Sequence, residues 1–238
     1  MIGIVVPAHN EELYLDACLS SLAVASMHPL LNSEEVQIHI VLDDCSDGSE
    51  RIVQGHIENC VGRAQRVTYS HVIARNVGIA RSTGASVMLD AGARWLSFTD
   101  ADTIVDPEWI ACQLNLNVDV VCGVVAVDDW SMHAEYADLL KNHFSHTYND
   151  ANGHHHIHGA NLGISAQVYV RAGGFAPLSC HEDVALVTAL KESGATFAWS
   201  AAPRVTTSAR VDPRAKGGFG DTMLSIVSEH RANKNNGL

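Results

Sequence analysis

Two aspartates, Asp100 and Asp102, stand one residue apart directly after the apolar run of residues 95–99. In an extended chain, side chains at i and i+2 point to the same side, so both carboxylates can aim at one cation. A hard divalent ion such as Mg2+ takes oxygen ligands, and one or two carboxylates hold it together with the phosphates of a substrate. The same aspartates also fit a solvated turn leading to a helix opened by Asp106 and Pro107, and spacing alone does not separate the readings. A second acidic pair, Glu182-Asp183, heads a helical pattern and by itself reads as an ordinary N-terminal helix pair. Pro7-Ala8-His9-Asn10-Glu11 and Asp43 each follow an apolar run. Glu11 can accept hydrogen bonds from a ribose or base, and Asp43 from a base imino group; both also serve as plain strand terminators.

These residues need elements to carry them. Residues 2–6 are a continuous apolar run ended by Pro7, the pattern of a buried parallel strand. Asn10 reads as a helix N-cap with Glu11 and Glu12 in the first turn, and Leu15, Cys18, Leu19 and Leu22 recur at helical spacing. Further strands are expected at residues 36–42, 67–70 and 95–99. Helices are expected between them, bearing Ile52, Val53 and Ile57, and then over 74–84. Residues 87–93 read as an insertion without a role. Asp106-Pro107 opens another helix, with Pro107 at N1. Such alternation predicts a parallel sheet with right-handed crossovers and helices on both faces, and ligands of such sheets bind beyond the carboxyl ends of the strands. The polar clusters at 7–11, 43–49 and 100–102 all fall there. Beyond them, a strand is expected at 118–127, a helix over 132–148, a strand at 161–165, a helix C-cap at Gly173-Gly174, a helix from 182 or 183 to 190, and a final helix.

Composition narrows the class. With 238 residues, 47% hydrophobic and 18% charged, the chain can bury a sizeable core. A net charge of −12, from 15 basic and 27 acidic residues, argues against a nucleic-acid partner. No apolar stretch nears the ~18 residues of a membrane span. The start at Met1 lacks a basic leader, and the six cysteines are scattered, so reduced thiols and a cytoplasmic location are expected. There is no Gly-x-Gly-x-x-Gly after the first strand and no P-loop. Of the 14 histidines, His154, His155, His156 and His158 lie close together, and His143 and His146 have a spacing that suits zinc. A polar surface loop explains the run equally, and no functional zinc site is expected. His181, beside the acidic pair, is placed to touch a metal or an acceptor.

Five motifs occur in order: Ile4-Val5-Val6-Pro7-Ala8-His9-Asn10-Glu11, Val41-Leu42-Asp43-Asp44-Cys45-Ser46-Asp47-Gly48-Ser49, Ala74-Arg75-Asn76-Val77-Gly78, Thr99-Asp100-Ala101-Asp102-Thr103 and His181-Glu182-Asp183-Val184. Together the sequence resembles the family-2 inverting nucleotide-sugar glycosyltransferases, which share the GT-A fold. The likeness runs from residue 1 to roughly residue 190. It implies an α/β Rossmann-like, mostly parallel sheet in a single domain, with a nucleotide-sugar half at 1–105 and an acceptor half with a C-terminal lid at 106–238.

By position, the resemblance places Pro7, Ala8, His9, Asn10, Glu11 and Asp43 around the base and ribose, and Arg75 near the base or phosphates. It gives Asp100 to the ribose or the metal shell, Asp102 to Mn2+ or Mg2+, and Asp183, in the pair with Glu182, to the catalytic base. Gly159–Gly163 resembles the acceptor side, where Asn161 would bind a sugar hydroxyl. Arg210, Arg214 and Lys216, in a basic, glycine-rich stretch, would close over the diphosphate. The implied partners are a nucleoside-diphosphate sugar, foremost a UDP-sugar, and a small-molecule or glycan acceptor. The Gln-x-x-Arg-Trp motif and membrane helices of longer members are missing, so processive synthesis is not expected. A retaining transferase, a non-catalytic sugar-nucleotide-binding protein and a histidine-based metal protein remain as alternatives.

Overall fold

The fold is that of a computed structural model describing residues 1–59, 65–178, 180–212 and 218–235. Its strands are β1 (Ile2–Ala8), β2 (Val36–Asp43), β3 (Gln65–Val72), β4 (Trp95–Phe98), β5 (Thr103–Val105), β6 (Val120–Ala126), β7 (Leu162–Ser165) and β8 (Phe197–Thr207). Its helices are α1 (Leu15–Ser26), α2 (Ser49–Asn59), α3 (Val77–Asp90), α4 (Trp109–Asn115), α5 (Ala137–Thr147), α6 (Ala166–Arg171), α7 (Glu182–Glu192) and α8 (Phe219–Asn235). All eight strands form one sheet in the order β3-β2-β1-β4-β7-β6-β8-β5. The first four neighbours are parallel, as the alternation of strands and helices requires. β7 runs antiparallel to both β4 and β6, β8 is parallel to β6, and β5 closes the far edge antiparallel to β8.

Both faces of this sheet are covered. Ile2, Ile4 and Val6 of β1 face a core shared with α1, α2 and α4, whereas Val5 faces the core beneath α3, α6 and α7. This is the two-residue alternation of a strand buried on both sides. Close approach of α3 to β1 depends on missing side chains: a Cβ at Gly84 would lie 2.4 Å from Val5 Cγ1, and one at Gly3 2.8 Å from Met88. A third, smaller cluster joins Trp130, Leu140, Ala209, Met223 and Val227 and anchors α5 and α8. Among the described residues no helix is long and apolar enough to cross a membrane.

Several local expectations are corrected by tertiary contacts. Asn10 does not cap α1: its backbone is left-handed (φ 54°), its Oδ1 accepts the Ser46 N–H at 2.8 Å, and the helix starts only at Leu15. The residues after Asn10 are committed to the β2–α2 loop instead, Glu11 N–H to Ser49 Oγ and Glu12 N–H to Asp47, both at 2.9 Å. Helix α3 continues past Gly84 to Asp90, so most of the supposed insertion is its last turn, held by fully buried Met88. Pro107 is not N1 of α4, because Asp106 N–H is tied to the Arg204 carbonyl of β8 (3.2 Å) and the helix begins at Trp109.

The helix expected over 132–148 is broken. A 3-10 turn over Ser131–Tyr136, with Ala134 at φ 48°, ψ −119°, precedes α5. That break lets Trp130 reach Phe144 and Phe219, with ring centroids 5.7 and 6.4 Å apart. Strands β5 and β8 and helix α6 carried no expectation. The C-cap expected at Gly173-Gly174 is present: both have positive φ (88° and 71°), and their N–H groups close α6 on Val170 and Tyr169.

Candidate functional site

The loops after β1 and β2 are laced together at the carboxyl edge of the sheet. His9 donates from Nδ1 to the Asp43 carbonyl at 2.6 Å, the Cys45 thiol donates to the Ala8 carbonyl at 3.3 Å, and Glu12 Oε2 accepts the Gly48 N–H at 2.6 Å. Pro7 and Ala8 pair with Val41 and Leu42, so the residues expected around a base stand beside Asp43. Asp43 itself is 4% exposed, and its carboxylate accepts the backbone N–H groups of Ala74, Arg75 and Asn76, each at 2.8 Å. It thereby holds a turn in which Arg75 is left-handed (φ 46°), while the Arg75 side chain extends outward to Asp44 at 2.6 Å. Hydrogen bonds to a charged acceptor contribute about 1.5–3 kcal/mol each, non-additively. Asp43→Ala is therefore expected to lower unfolding free energy by about 3 kcal/mol in urea denaturation. A loss below ~0.5 kcal/mol would mean that something else holds the turn.

A second knot lies one strand over. Arg81, on the buried face of α3 with a side chain 4% exposed, donates from Nη2 to Asp100 Oδ1 at 2.5 Å and from Nη1 to Glu182 Oε1. Its Nε has no partner among the described residues, and its guanidinium lies 5.7 Å over Phe175. The 157–160 loop approaches so closely that a Cβ at Gly159 would fall 2.4 Å from the Arg81 guanidinium. Gly159 in turn donates its N–H to Asp183 Oδ2 at 2.9 Å, and Val184 N–H donates to Asp183 Oδ1 at 2.8 Å. Burial raises the Glu182 carboxyl above its ordinary value, and Arg81 draws it back. Of the two acidic residues opening α7, Glu182 is therefore buried in an ion pair and Asp183 is half-buried.

A third knot ties the chain after β8 to the loops after β1 and β4. Asp102 Oδ2 accepts Ser208 Oγ at 2.5 Å and Arg210 Nε at 3.0 Å, and Arg210 also forks onto both oxygens of Glu11 at 3.0 and 2.8 Å. Burial works against the Arg210 charge, but Asp102 and Glu11 hold its guanidinium above the ordinary value. Arg81 thus joins Asp100 to Glu182, and Arg210 joins Asp102 to Glu11. Arg210 was expected from the sequence, and Gly159 only as part of an acceptor-side segment; Arg81 and Ser208 were not. One sign of Arg81 was legible, a cation on the apolar stripe of α3 with Gly78, Gly84, Ala85 and Met88.

Other expected residues have different surroundings. Asn161 is fully buried; its Oδ1 accepts Trp109 Nε1 at 2.8 Å and its amide donates to the Val124 and Pro203 carbonyls at 2.8 and 2.9 Å. It ties α4, β6 and β8 together and has no exposed surface to offer a sugar. His181 precedes α7 in a left-handed conformation (φ 58°) and is exposed. Arg214, Lys216 and Cys60 lie outside the described residues. The histidine loop stacks on Tyr148: the His156 ring lies 4.2 Å from it, and His158 Nε2 is 3.0 Å from the Tyr148 hydroxyl. Burial pushes His158 down to about 4, so it is neutral at pH 7.

Among the described residues, no cluster of three or more His, Cys, Asp or Glu is arranged to hold a metal ion. Mg2+ and Mn2+ need fewer protein ligands when substrate phosphates complete the shell. The oxygen set suits such an ion. Among the described residues Asp102 Oδ1 has only long hydroxyl contacts at 3.4 Å, and Asp100 keeps 36% of its side chain exposed.

The family model for glycosyl transferase family 2 matches residues 3–171, well over half of the chain. The chain belongs to glycosyl transferase family 2. No curated protein matches it. Solved structures show that this family-2 chain has the GT-A fold. The mannosyltransferase PcManGT from Pyrobaculum calidifontis, in complex with GDP-Man and Mn2+, is 18% identical with a TM-score of 0.66, over 92% of this chain and 58% of that one. S. aureus TarS 1–349 in complex with UDP-GlcNAc is 16% identical with a TM-score of 0.61, over 96% and 66%. GalNAc-T7 with UDP, GalNAc and Mn2+ is 15% identical with a TM-score of 0.66, over 96% and 47%. The family-2 chain thus spans roughly half to two-thirds of the length of these proteins.

Proposed function

We propose that this chain is an inverting transferase that moves a sugar from a nucleoside-diphosphate sugar to an acceptor hydroxyl. The reading is carried by Arg81, whose simultaneous ion pairs put the carboxylates after β4 beside those that open α7. Pro7, Ala8, His9, Asn10, Glu11, Asp43 and Arg75 would line the nucleotide. Asp102, with Asp100, would hold Mn2+ or Mg2+, which as a Lewis acid offsets charge on the departing diphosphate. The acceptor oxygen bonds to the anomeric carbon as the bond from that carbon to the diphosphate oxygen breaks. The nucleoside diphosphate leaves with the electron pair, and the hydroxyl proton passes to Asp183.

Asp183 suits that task better than its neighbour. Glu182 is buried against Arg81, whereas Asp183 is held only by two backbone N–H groups and keeps surface exposed. A single base opposite the leaving group inverts the anomeric centre, which the proton NMR coupling of the first product would report. His181, exposed two residues before Asp183, would contact the acceptor. Cys18, Cys45, Cys112, Cys122 and Cys180 are free thiols, which suits a reducing cytoplasm.

Two of the three similar proteins are bound to uridine nucleotides and one to GDP-Man, so UDP-sugars are the first donors to test. A thermal-shift screen of UDP, GDP and dTDP, with and without Mn2+, checks the reading. A ligand at 100 times its Kd stabilises by about 2.7 kcal/mol, or roughly 5–10 °C for a domain of this size. One diphosphate is expected to reach that range with Mn2+ and to fall short without it. No shift with any diphosphate would overturn the proposal.

A further inference from the structure

Arg210 already holds one oxygen of Asp102, the carboxylate that a divalent ion would take. Its side chain is only 10% exposed, between Glu11 at 7% and Asp102 at 14%. It grips Glu11 with Nη1 and Nη2, and reaches Asp102 Oδ2 with Nε at 3.0 Å and Nη2 at 2.6 Å. The face of the guanidinium rests 4.9 Å from the Tyr14 ring centre, and Ser208 Oγ supports the same Asp102 oxygen. One fixed cation therefore answers two largely buried carboxylates, delivered by β1 and β4, whose burial is costly.

We propose that Arg210 is a built-in rival of the divalent ion: guanidinium and metal compete for Asp102, and the metal binds as Arg210 lets go. This rests on reading Asp102 as a cation ligand. The contacts favour a pivot over full release. The fork onto Glu11 is the bidentate, charge-assisted form that holds most strongly, whereas Asp102 also has hydroxyls that can replace part of what Arg210 gives. Once turned from Asp102, the guanidinium has N–H groups to offer an anion, and the diphosphate is the anion that arrives with the metal. Metal and nucleoside diphosphate then bind with positive coupling, and linkage makes that coupling reciprocal. The device keeps the acidic pocket electrostatically satisfied between turnovers and ties metal capture to donor capture.

Titration of Mn2+ against the whole chain, followed by the electron paramagnetic resonance of free Mn2+, tests this with no turnover required. Without nucleotide, Arg210→Ala is expected to bind Mn2+ about 10-fold or more tightly than the wild type, within the usual range of such couplings. Adding UDP or GDP is expected to tighten Mn2+ in the wild type by more than in Arg210→Ala. Asp102→Ala is expected to abolish binding in either background. Equal or weaker Mn2+ binding by Arg210→Ala, still abolished by Asp102→Ala, would overturn the rivalry and leave the metal site standing. No Mn2+ binding by either protein, with or without nucleotide, would overturn the metal reading and this inference with it. If Arg210→Ala does not fold, the paired change Arg210→Ala with Glu11→Gln removes one charge of each sign and permits the same comparison.

Discussion

Asp183→Asn is expected to lower sugar transfer by about 10²–10⁴-fold, the usual contribution of a positioned base, while leaving nucleoside-diphosphate binding intact. The substitution is nearly isosteric, and an amide oxygen can still accept the Val184 N–H that now bonds Oδ1 at 2.8 Å. What it removes is the carboxylate's proton affinity, together with acceptance of the Gly159 N–H at Oδ2. The measurement is a pair: product formed per minute from the donor selected by thermal shift, and the shift itself with the matching diphosphate. Transfer within tenfold of the wild type would remove Asp183 from the role of base. Transfer and diphosphate binding lost together would point to a collapsed site. Glu182→Gln is not an equivalent probe, because Glu182 is the buried partner of Arg81.

Arg81→Met is expected to lower unfolding free energy by about 3–5 kcal/mol, the cost of stranding the partner of a buried ion pair. Arg81 and Glu182 are only 4% and 6% exposed, so solvent can do little for Glu182 once the guanidinium is gone. Asp100 is more exposed and water will screen its loss, so most of the effect belongs to Glu182. Its carboxyl is already raised by burial and drawn back by Arg81, so removal of Arg81 favours a protonated side chain, which limits the loss. Adding Glu182→Gln is expected to restore a large part of the stability, since an amide needs no counter-charge. Urea denaturation of the wild type, the single variant and the double variant gives the answer. A single variant within ~1 kcal/mol of the wild type would show that the pair contributes little.

Legibility differed along the chain for physical reasons. Strands β1, β2 and β4 were readable because a strand buried on both faces is mostly apolar, a bias that outweighs Gln37 and His39 in β2 and Ser97 in β4. Strand β8, between β6 and β5, was not: Phe197–Thr207 holds alanines, Pro203 and an arginine, a pattern set by its pairing with both neighbours. Helix starts were misplaced at Asn10 and Pro107 because each residue has favourable local chemistry but is claimed by a distant partner, Ser46 for Asn10 and, one residue before Pro107, Arg204 for Asp106.

The same division holds for the site. Which residues carry charge at the strand ends, and that Asp100 and Asp102 follow β4, could be read from residue type and spacing, because strand periodicity acts over two residues. How those charges are paired could not. Arg81 meets Asp100 and Glu182 across 19 and 101 residues, and Arg210 meets Glu11 across 199. Such partners are chosen by the burial that removes competing water, and burial belongs to the assembled sheet and its two helical layers. Residue type and local spacing specify the chemical groups and the strand ends that present them; packing in three dimensions selects which charges answer one another.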